Sequence, residues 1–249
     1  MSLIEYPGYQ QRVFPHVTNF LIGSFAAMES NEQWQTNSKF VFEEKNQEVK
    51  EMHAIISVLK PIYTWWLVQC LNDLRMAMGG LGYSKHAEIG SMIDDYHVMT
   101  TWEGENYVLI QQTAKFLLKR YFKITQGQEN KYSSLDYIQL EPLDGQKLEL
   151  KSPEQLKCPH FLHEIMKFRA AKALQVAMNY ISTRVAEGAD QFTCYNEALA
   201  AGLNEACIYY GELYIYRSAL RGLASAKSEG TRQFILNLLR IFAYNKILE

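Results

Sequence analysis

Arg75-Met-Ala-Met-Gly-Gly-Leu-Gly-Tyr-Ser84 and, sixteen residues further on, Thr101-Trp-Glu-Gly-Glu-Asn-Tyr-Val-Leu-Ile-Gln-Gln-Thr-Ala-Lys-Phe-Leu-Leu-Lys119 decide the fold of this 249-residue chain. Each stretch contains a glycine-marked break between segments whose apolar residues recur at helical spacing. Because glycine has no Cβ, its peptide groups stay open to close approach by another group. The flanking segments are therefore interpreted as helical scaffold, and the two breaks as the places where chemistry is most plausible.

Apolar residues at spacings of three and four predict helices through most of the chain. A proline at position 61 should kink the second helix. Tyrosines at 209, 210, 214 and 216 are interpreted as helix-packing aromatics. Strand alternation is not convincing outside short pieces near residue 149, so the predicted fold class is all-α. The predicted helices cover residues 9–29, 45–78, 83–99, 104–122, 160–187, 191–226 and 229–247.

Two segments interrupt the helical pattern. Residues 30–46 are polar and predict a loop, or a helix end followed by a loop. Residues 126–157 are rich in glycine, proline and small polar residues. A long structureless connection inside one compact unit is unusual. We therefore expect a linker at 126–157 between a helical unit at 1–125 and a second at 158–249.

Composition and charge bound the class of protein. The chain is 48% hydrophobic and 21% charged, as in ordinary soluble globular proteins, with a net charge of −2 that gives no sign of a nucleic-acid surface. No uninterrupted apolar run reaches the roughly 18 residues of a membrane span, and no secretion signal is seen. The four scattered cysteines predict free thiols in a reducing compartment, so we expect a soluble intracellular protein.

Glu103 has two interpretations. In the first, Thr100 and Glu103 form a capping box, because their spacing fits the N-cap and N3 positions of a helix. In the second, Glu103 is a general base in an apolar surround formed by Trp102, Val98 and Met99. On spacing alone the capping box is favoured.

The Gly79-Gly80-Leu81-Gly82 turn is similarly open to two interpretations. Helices often stop at glycine, because glycine tolerates the left-handed conformation. Alternatively, the bare backbone contacts a phosphate or pyrophosphate, although three glycines in four residues are a weak signal. No Walker loop, serine nucleophile elbow or Rossmann spacing is present.

Two clusters have side chains that bind metals in other proteins. Neither is completed to a tetrahedral set at the usual spacing, so no metal site is predicted. The clusters are Cys158 with His160 and His163, and Asp94 with Asp95 and His97.

Taken together, the two breaks closely resemble the acyl-CoA oxidases, flavoenzymes of the acyl-CoA dehydrogenase superfamily. That family carries R-x-A-C-G-G-H-G-Y-S and then T-[WFY]-E-G-[DE]-N-T-V-L-x-Q-Q-T-A-R-x-L-L-K, a long and specific motif. Tyr9 to Pro15 is similar to its Y-Q-x-Q-Q-x-x-L-F-P, and Met52 to Lys60 resembles its L-H-A-x-S-x-x-L-K. The resemblance implies a dehydrogenase-like C-terminal helical bundle followed by the second helical domain of the oxidases.

The resemblance reverses the preference at Glu103, because the family's catalytic base matches this residue. It implies that the whole enzyme converts a fatty acyl-CoA and oxygen to a trans-2-enoyl-CoA and hydrogen peroxide with FAD. The peptide N–H of Glu103 would then also donate to the developing enolate oxygen. Gly79 and Gly80 would lie against the FAD of a dimer partner, and Gly104, Glu105 and Asn106 would follow the base where the flavin is contacted.

Several positions depart from the family pattern. The glycine turn has Leu81 in place of histidine, with Met76 and Met78 before it, and Tyr107 replaces a small threonine. Pro7-Gly8 stands where the family's Y-Q-x is expected. These changes bear on flavin affinity more than on the base.

The resemblance covers nearly all of this chain but only part of the family's length. We therefore expect a fragment, one piece of a split protein or a shortened relative, inactive alone and completed by a companion chain or a homodimer. The alternative is a non-enzymatic accessory subunit derived from an oxidase. The chain ends in Ile-Leu-Glu, not in a Ser-Lys-Leu type signal, so a peroxisomal location rests on the resemblance, with cytoplasm or mitochondrion as alternatives.

Overall fold

The computed structural model describes residues 2–40, 47–138, 143 and 147–248, and these residues contain helices and no β-strand. The all-α prediction is confirmed. The helices are α1 (Pro7–Asn37), α2 (Gln47–Ala77), α3 (Gly80–Tyr83), α4 (Ile89–His97), α5 (Asn106–Thr125), α6 (Pro159–Ala186), α7 (Gln191–Ala198), α8 (Asn204–Ser225) and α9 (Glu229–Leu248).

The first helix is longer than predicted, and the second is continuous through its internal proline. α1 continues to Asn37, where the side chains of Thr36 and Asn37 donate to carbonyl groups one turn earlier. The predicted helix end is confirmed, and a 3₁₀ turn at Ser38–Phe40 follows it; the loop expected next falls on residues 41–46, which lie outside the described part. α2 passes through Pro61 without a break in its helical assignment.

The predicted helix at 191–226 is wrong in one respect, because it is interrupted. Leu199–Leu203 forms a π-helical segment between α7 and α8, and Gly202 inside it has φ of 126°. This left-handed conformation ends α7 and lets α8 start in a new direction. The predicted helix at 83–99 is also shorter, since only Ile89–His97 is α-helical, between short 3₁₀ turns.

α8 is the central helix of the core, and two glycines let it cross its neighbours closely. A Cβ on Gly211 would lie 2.5 Å from Cδ1 of Ile62 in α2, and one on Gly222 would lie 2.3 Å from Cε1 of Phe25 in α1. Of the four tyrosines predicted to pack between helices, those at 210, 214 and 216 are buried. Helices from both sides of the predicted linker thus share one hydrophobic core.

The segment predicted as a structureless linker folds onto this core where it is described. Tyr132, Leu135, Tyr137 and Leu143 are buried in it. Ser134 accepts a hydrogen bond from the hydroxyl of buried Tyr210, at 2.9 Å. Residues 139–142 and 144–146 lie outside the described part. The division into units at 1–125 and 158–249 remains a prediction about the sequence.

A buried charge cluster joins three helices of the second half. Glu212 of α8 is 3% exposed, and Lys246 of α9, 4% exposed, places its Nζ 3.4 Å from Oε1 of Glu212. Arg169 of α6 donates to the other carboxylate oxygen of Glu212. Buried charges must be paired, so this cluster fixes how α6, α8 and α9 pack.

α2 is long and apolar enough to cross a bilayer by length and composition alone, which the count of uninterrupted apolar residues did not predict. Half of its most apolar window is buried inside the fold, where α2 packs against α1, α4, α5 and α8. This packing explains the apolar composition as that of a core helix.

His163 of α6 makes the stability of the fold sensitive to acid. Its ring stacks on Tyr216, and burial, with help from the charges of Arg217 and Lys167, lowers its pKa to about 4 against the opposing effect of Glu164 and Asp136. The unfolded chain would bind the proton near the ordinary histidine pKa. The native state is therefore favoured fully above that value and loses this contribution as pH falls toward about 4.

We expect His163→Phe, which keeps an aromatic ring against Tyr216, to remove this dependence. Between about pH 7 and about pH 4.5, the free energy of unfolding of the unaltered chain should fall by about 1–2 kcal/mol more than that of the variant, a range discounted for partial solvation. Urea unfolding at the two pH values measures the difference. Parallel losses in the two proteins would contradict the role of His163.

Candidate active site

The turn that carries Glu103 is built from two consecutive left-handed residues. Glu103 has φ of 53° and Gly104 has φ of 104°. A Cβ on Gly104 would also lie 2.8 Å from Cδ2 of Leu109, so glycine is required there for two reasons. For glutamate the left-handed conformation costs about 1–2 kcal/mol, and neighbouring contacts must hold it.

The capping box predicted for Thr100 and Glu103 is not formed. The hydroxyl of Thr100 donates to the carbonyl of His97, and α5 begins only at Asn106. Its N-cap is Glu105, whose carboxylate accepts the N–H of Val108 at 3.1 Å. The left-handed turn intervenes between Thr100 and α5, so the cap falls after Glu103 and the Glu103 carboxylate has no capping role.

Lys60 of α2 holds this turn. Its Nζ donates to the carbonyl of Gly104 at 2.7 Å and to Oδ1 of Asn106 at 2.8 Å. Burial lowers the pKa of Lys60, and the negative charges of Glu105 and Glu103 oppose that shift. Lys60 closes the sequence stretch Met52 to Lys60, but the prediction gave it no role, because it lies more than forty positions before the turn.

Asn106 completes the attachment from inside the fold. It is fully buried, and its Nδ2 donates to the hydroxyl oxygen of Thr64 at 2.9 Å. With Lys60 on Oδ1 and Thr64 on Nδ2, the side-chain amide is occupied by α2. Asn106 and Glu105, both predicted to contact a cofactor, thus serve here to hold and cap the turn.

Glu103 itself is solvent-exposed among the described residues. Trp102 is 51% exposed and Val98 is 46% exposed, so the apolar surround predicted from these neighbours is not closed. The turn presents its carboxylate outward from a fixed backbone. Any enclosure of that carboxylate has to come from groups beyond those described.

The glycine turn lies far from Glu103. Gly79 has φ of 59°, and a Cβ on Gly79 or Gly80 would meet nothing within 4 Å, whereas one on Gly82 would collide with the carbonyl oxygen of Arg75 at 2.1 Å. Gly82 is thus required by packing, while the backbone of Gly79 and Gly80 is open. At the rise of an α-helix, Lys60 and the end of α2 are separated by about 25 Å along the helix axis. The structure therefore does not bring the two breaks together within one chain.

The two metal-like clusters do not form a site in the described residues, where no group of three or more His, Cys, Asp or Glu side chains could hold an ion. His163 of the first cluster stacks on Tyr216.

Two models of one protein family together match most of the chain. A family model of the acyl-CoA oxidase C-alpha1 domain matches residues 1–118, and the acyl-CoA oxidase model matches residues 158–249. The chain belongs to the acyl-CoA oxidase family.

Curated acyl-CoA oxidases are similar to part of this chain. Acyl-coenzyme A oxidase acox-3 of Caenorhabditis elegans is 31% identical over 147 residues, which is 57% of this chain and 22% of that protein. Peroxisomal acyl-coenzyme A oxidase 1 of Bos taurus is 26% identical over 187 residues, 74% of this chain and 28% of its own length. The chain thus spans only about a quarter of these curated relatives.

Solved acyl-CoA oxidase structures share the fold across nearly the whole chain. Acyl-CoA oxidase 1 of Arabidopsis thaliana superposes with a TM-score of 0.88 at 22% identity, covering 98% of this chain and 37% of that one. Acyl-CoA oxidase-1 of Caenorhabditis elegans, described as complexed with FAD and ATP, gives a TM-score of 0.86 at 22% identity, covering 98% and 36%. The helical arrangement is that of these oxidases.

In this acyl-CoA oxidase relative we expect Lys60→Met to loosen the Glu103 turn. The substitution leaves the carbonyl of Gly104 and the amide of Asn106 without their charged donor, so opening of the turn should become easier by about 1–3 kcal/mol. Hydrogen exchange of the amides at the start of α5 measures this change.

Lys115→Met is the matched control, because Lys115 is an exposed lysine of α5. It should leave exchange in the turn unchanged. Equal protection in the Lys60 variant and the unaltered chain would show that the turn is held by other contacts.

Proposed function

We propose that this chain is the part of an FAD-dependent acyl-CoA oxidase that carries the general base, Glu103. The observation that supports this most is the turn fixed by Lys60 and Asn106, which presents Glu103 outward from a strained but anchored backbone. A helix cap would not need such a turn, whereas a base must be held in one position relative to its substrate. In the proposed whole enzyme, the substrate is a fatty acyl-CoA.

In the proposed reaction Glu103 takes the α-proton of the acyl thioester, and its peptide N–H donates to the thioester oxygen as negative charge develops there. FAD, against which Gly79 and Gly80 would lie, would supply the acceptor for the hydride lost from Cβ, with oxygen as the final oxidant that becomes hydrogen peroxide. The products are a trans-2-enoyl-CoA and hydrogen peroxide. An α-proton beside a thioester is weakly acidic, so the exposed Glu103 must be shielded from water by added surface.

The described residues that would contact FAD lie in two separate places. Gly79 and Gly80 offer open backbone with room for a close approach, as a pyrophosphate contact requires. Gly104 lies beside Lys60, which is about 25 Å from the end of α2 along the helix axis, so the two places are proposed to touch two different flavins. This separation supports a homodimer, or a companion chain, in which each site is shared. Asn106, held from inside by α2, would position the turn and not touch the flavin.

We further propose that the complete assembly works in peroxisomes, as the names of several relatives state for those proteins. The division of this chain into a dehydrogenase-like bundle at 1–125 and an oxidase domain at 158–249 is proposed with it. By itself the chain, with Glu103 exposed, should not oxidise an acyl-CoA.

An accessory, non-enzymatic subunit is the second candidate. Large apolar side chains beside the glycine turn are exposed, with Leu81 72% and Tyr83 85% exposed. An exposed apolar patch marks a contact surface, and such a surface serves a structural subunit as well as an oxidase. The two candidates differ in whether flavin and Glu103 are used.

We expect the protein isolated with its natural partners to show the blue absorption band of oxidised flavin. In that assembly Glu103→Gln should reduce peroxide formation from an acyl-CoA by about a thousandfold, because the general base is lost, while the flavin band remains. Peroxide release and the visible spectrum are measured on the same sample.

Glu88→Gln is the matched control. Within the part of the chain that the structure describes, Glu88 is the other non-glycine residue with a positive φ, 57°, and it is also exposed. It should keep full activity. A colourless assembly, or a Glu103 variant as active as the control, would leave the accessory-subunit candidate.

A further inference from the structure

A groove of about 690 Å³ lies between α5 and α7, on the side of α5 that faces away from the core. Ala114 and Leu117 of α5 are buried in the core. Lys115, Lys119 and Phe122 of the same helix are exposed and line the groove. α5 is therefore amphipathic, with one face inside the fold and the other available at this groove.

The two walls of the groove are fixed relative to each other. The hydroxyl of Tyr195 in α7 donates to the carbonyl of Gln111 in α5, at 3.2 Å. Nε of Arg184 in α6 donates to Oε2 of Glu197 in α7 at 2.6 Å, so α7 is also tied to α6. Because both walls are held, the groove is formed before a partner binds, and little ordering opposes binding.

Two phenylalanine rings give the groove an exposed apolar surface. Phe192 of α7 is 78% exposed and Phe122 of α5 is 44% exposed, and both line the groove. Single exposed apolar side chains need no explanation, whereas rings on both walls of one groove are typical of a contact surface. Aromatic side chains are also enriched where proteins bind one another.

The groove carries a net positive charge. Lys115 and Lys119 line it from α5, and neither has an ion-pair partner in the described part of the chain. Asp190 is the only acidic residue among the described residues that line it. Its carboxylate is occupied at the start of α7, where it accepts the N–H groups of Phe192 and Thr193. The two ammonium groups therefore favour an occupant with negative charge.

The spacing of the two lysines matches a helical occupant. Lys115 and Lys119 are one helical turn apart, which is about 6 Å along α5. Carboxylates four residues apart on a second helix have the same spacing and lie on one face of it. A helix about 10 Å wide lying along α5 would also cover the rings of Phe122 and Phe192, whereas a single alkyl chain is narrower and would leave most of Phe192 in water.

We propose that this groove binds an acidic amphipathic helix of a partner polypeptide. Two of its carboxylates, one turn apart, pair with Lys115 and Lys119, and its apolar side chains pack against Phe122 and Phe192. No residue of the turn at 101–106 lines the groove. The proposal is therefore independent of the proposed oxidase chemistry.

The test is titration of the 249-residue chain with dye-labelled helical peptides of about 20 residues, followed by fluorescence anisotropy. One peptide carries glutamates four residues apart beside a stripe of leucine and phenylalanine, and the other carries lysine in place of each glutamate. The glutamate peptide should bind one saturable site, and the lysine peptide should bind at least about tenfold more weakly. Absence of saturable binding, or equal binding of the lysine peptide, would overturn the proposal.

Charge reversal locates the site. Lys115→Glu combined with Lys119→Glu should weaken the glutamate peptide at least about tenfold, because like charges then face each other. Lys39→Glu combined with Lys85→Glu is the matched control, with the same change of net charge at exposed lysines outside the groove. At about 0.15 M salt, where distant charges are screened, the control should bind as the unaltered chain does. Equal affinities of the two double variants would place binding elsewhere and contradict the proposal.

The apolar contact is tested by Phe192→Ala, which should weaken the glutamate peptide by about tenfold. Phe20→Ala is its control, because Phe20 of α1 is 76% exposed and does not line the groove. Circular dichroism confirms that each variant is folded. Unchanged affinity in the Phe192 variant would show that the groove is not the site.

Two measurements distinguish a partner helix from other occupants. Sedimentation of the chain alone should show no self-association that Phe192→Ala abolishes, since such an association would make the groove a contact between two copies. Dodecanoate below its micelle-forming concentration should not displace the bound glutamate peptide, since displacement would assign the groove to an anionic amphiphile. Either of these contrary results would overturn the proposal.

Discussion

The ammonium group of Lys60 is the contact on which the candidate site depends. It bonds to the carbonyl of Gly104 and to the side chain of Asn106, and so ties the end of a left-handed turn to the middle of α2. Charge-assisted hydrogen bonds of this kind are about twice as strong as neutral ones. Together with the cap at Glu105, they offset the unfavourable conformation of Glu103. The backbone that carries Glu103 is consequently fixed, and its side chain extends from that backbone into solvent.

That attachment requires α2 to be rigid, and the rest of the core provides this. α8 approaches α2 closely at Gly211 and α1 at Gly222, where any side chain would collide. The segment before α6 also reaches α2, because the N–H of Ser134 donates to Glu51, while Tyr137 packs near the ring of Tyr210 in α8. The second half of the chain therefore acts as a support for the helix that carries Lys60. The two parts of the sequence matched by separate family models are one body in packing.

Much of this fold could be predicted from the sequence, because apolar residues at regular helical spacing are a strong signal for long helices. The predictions were wrong where a local sequence pattern is compatible with two backbone conformations. A single glycine is often tolerated inside a helix, so the sequence does not show that Gly202 adopts a left-handed conformation. In the structure it does, and the helix is interrupted there. Thr100 and Glu103 have the spacing of a capping box, yet two left-handed residues shift the cap to Glu105. The role of Lys60 carries no local signal at all, because its partners, Gly104 and Asn106, lie more than forty positions later in the sequence.

The candidate site separates two requirements that a carboxylate base must meet. Position is supplied locally, by the turn, Lys60 and Asn106. Exclusion of water is not supplied by the described residues, because Glu103 is exposed and about half of the Trp102 side chain faces solvent. A base that is accurately held but open to water is ineffective against a weakly acidic proton, since water stabilises the carboxylate and screens the developing charge. The exposed apolar side chains around the two glycine breaks are suited to being covered, and a covering surface has to extend about 25 Å along the axis of α2 to reach both. If Glu103 is a base, its chemistry therefore belongs to an assembly in which other polypeptide surface closes over each break, and the anchored turn is this chain's contribution to it.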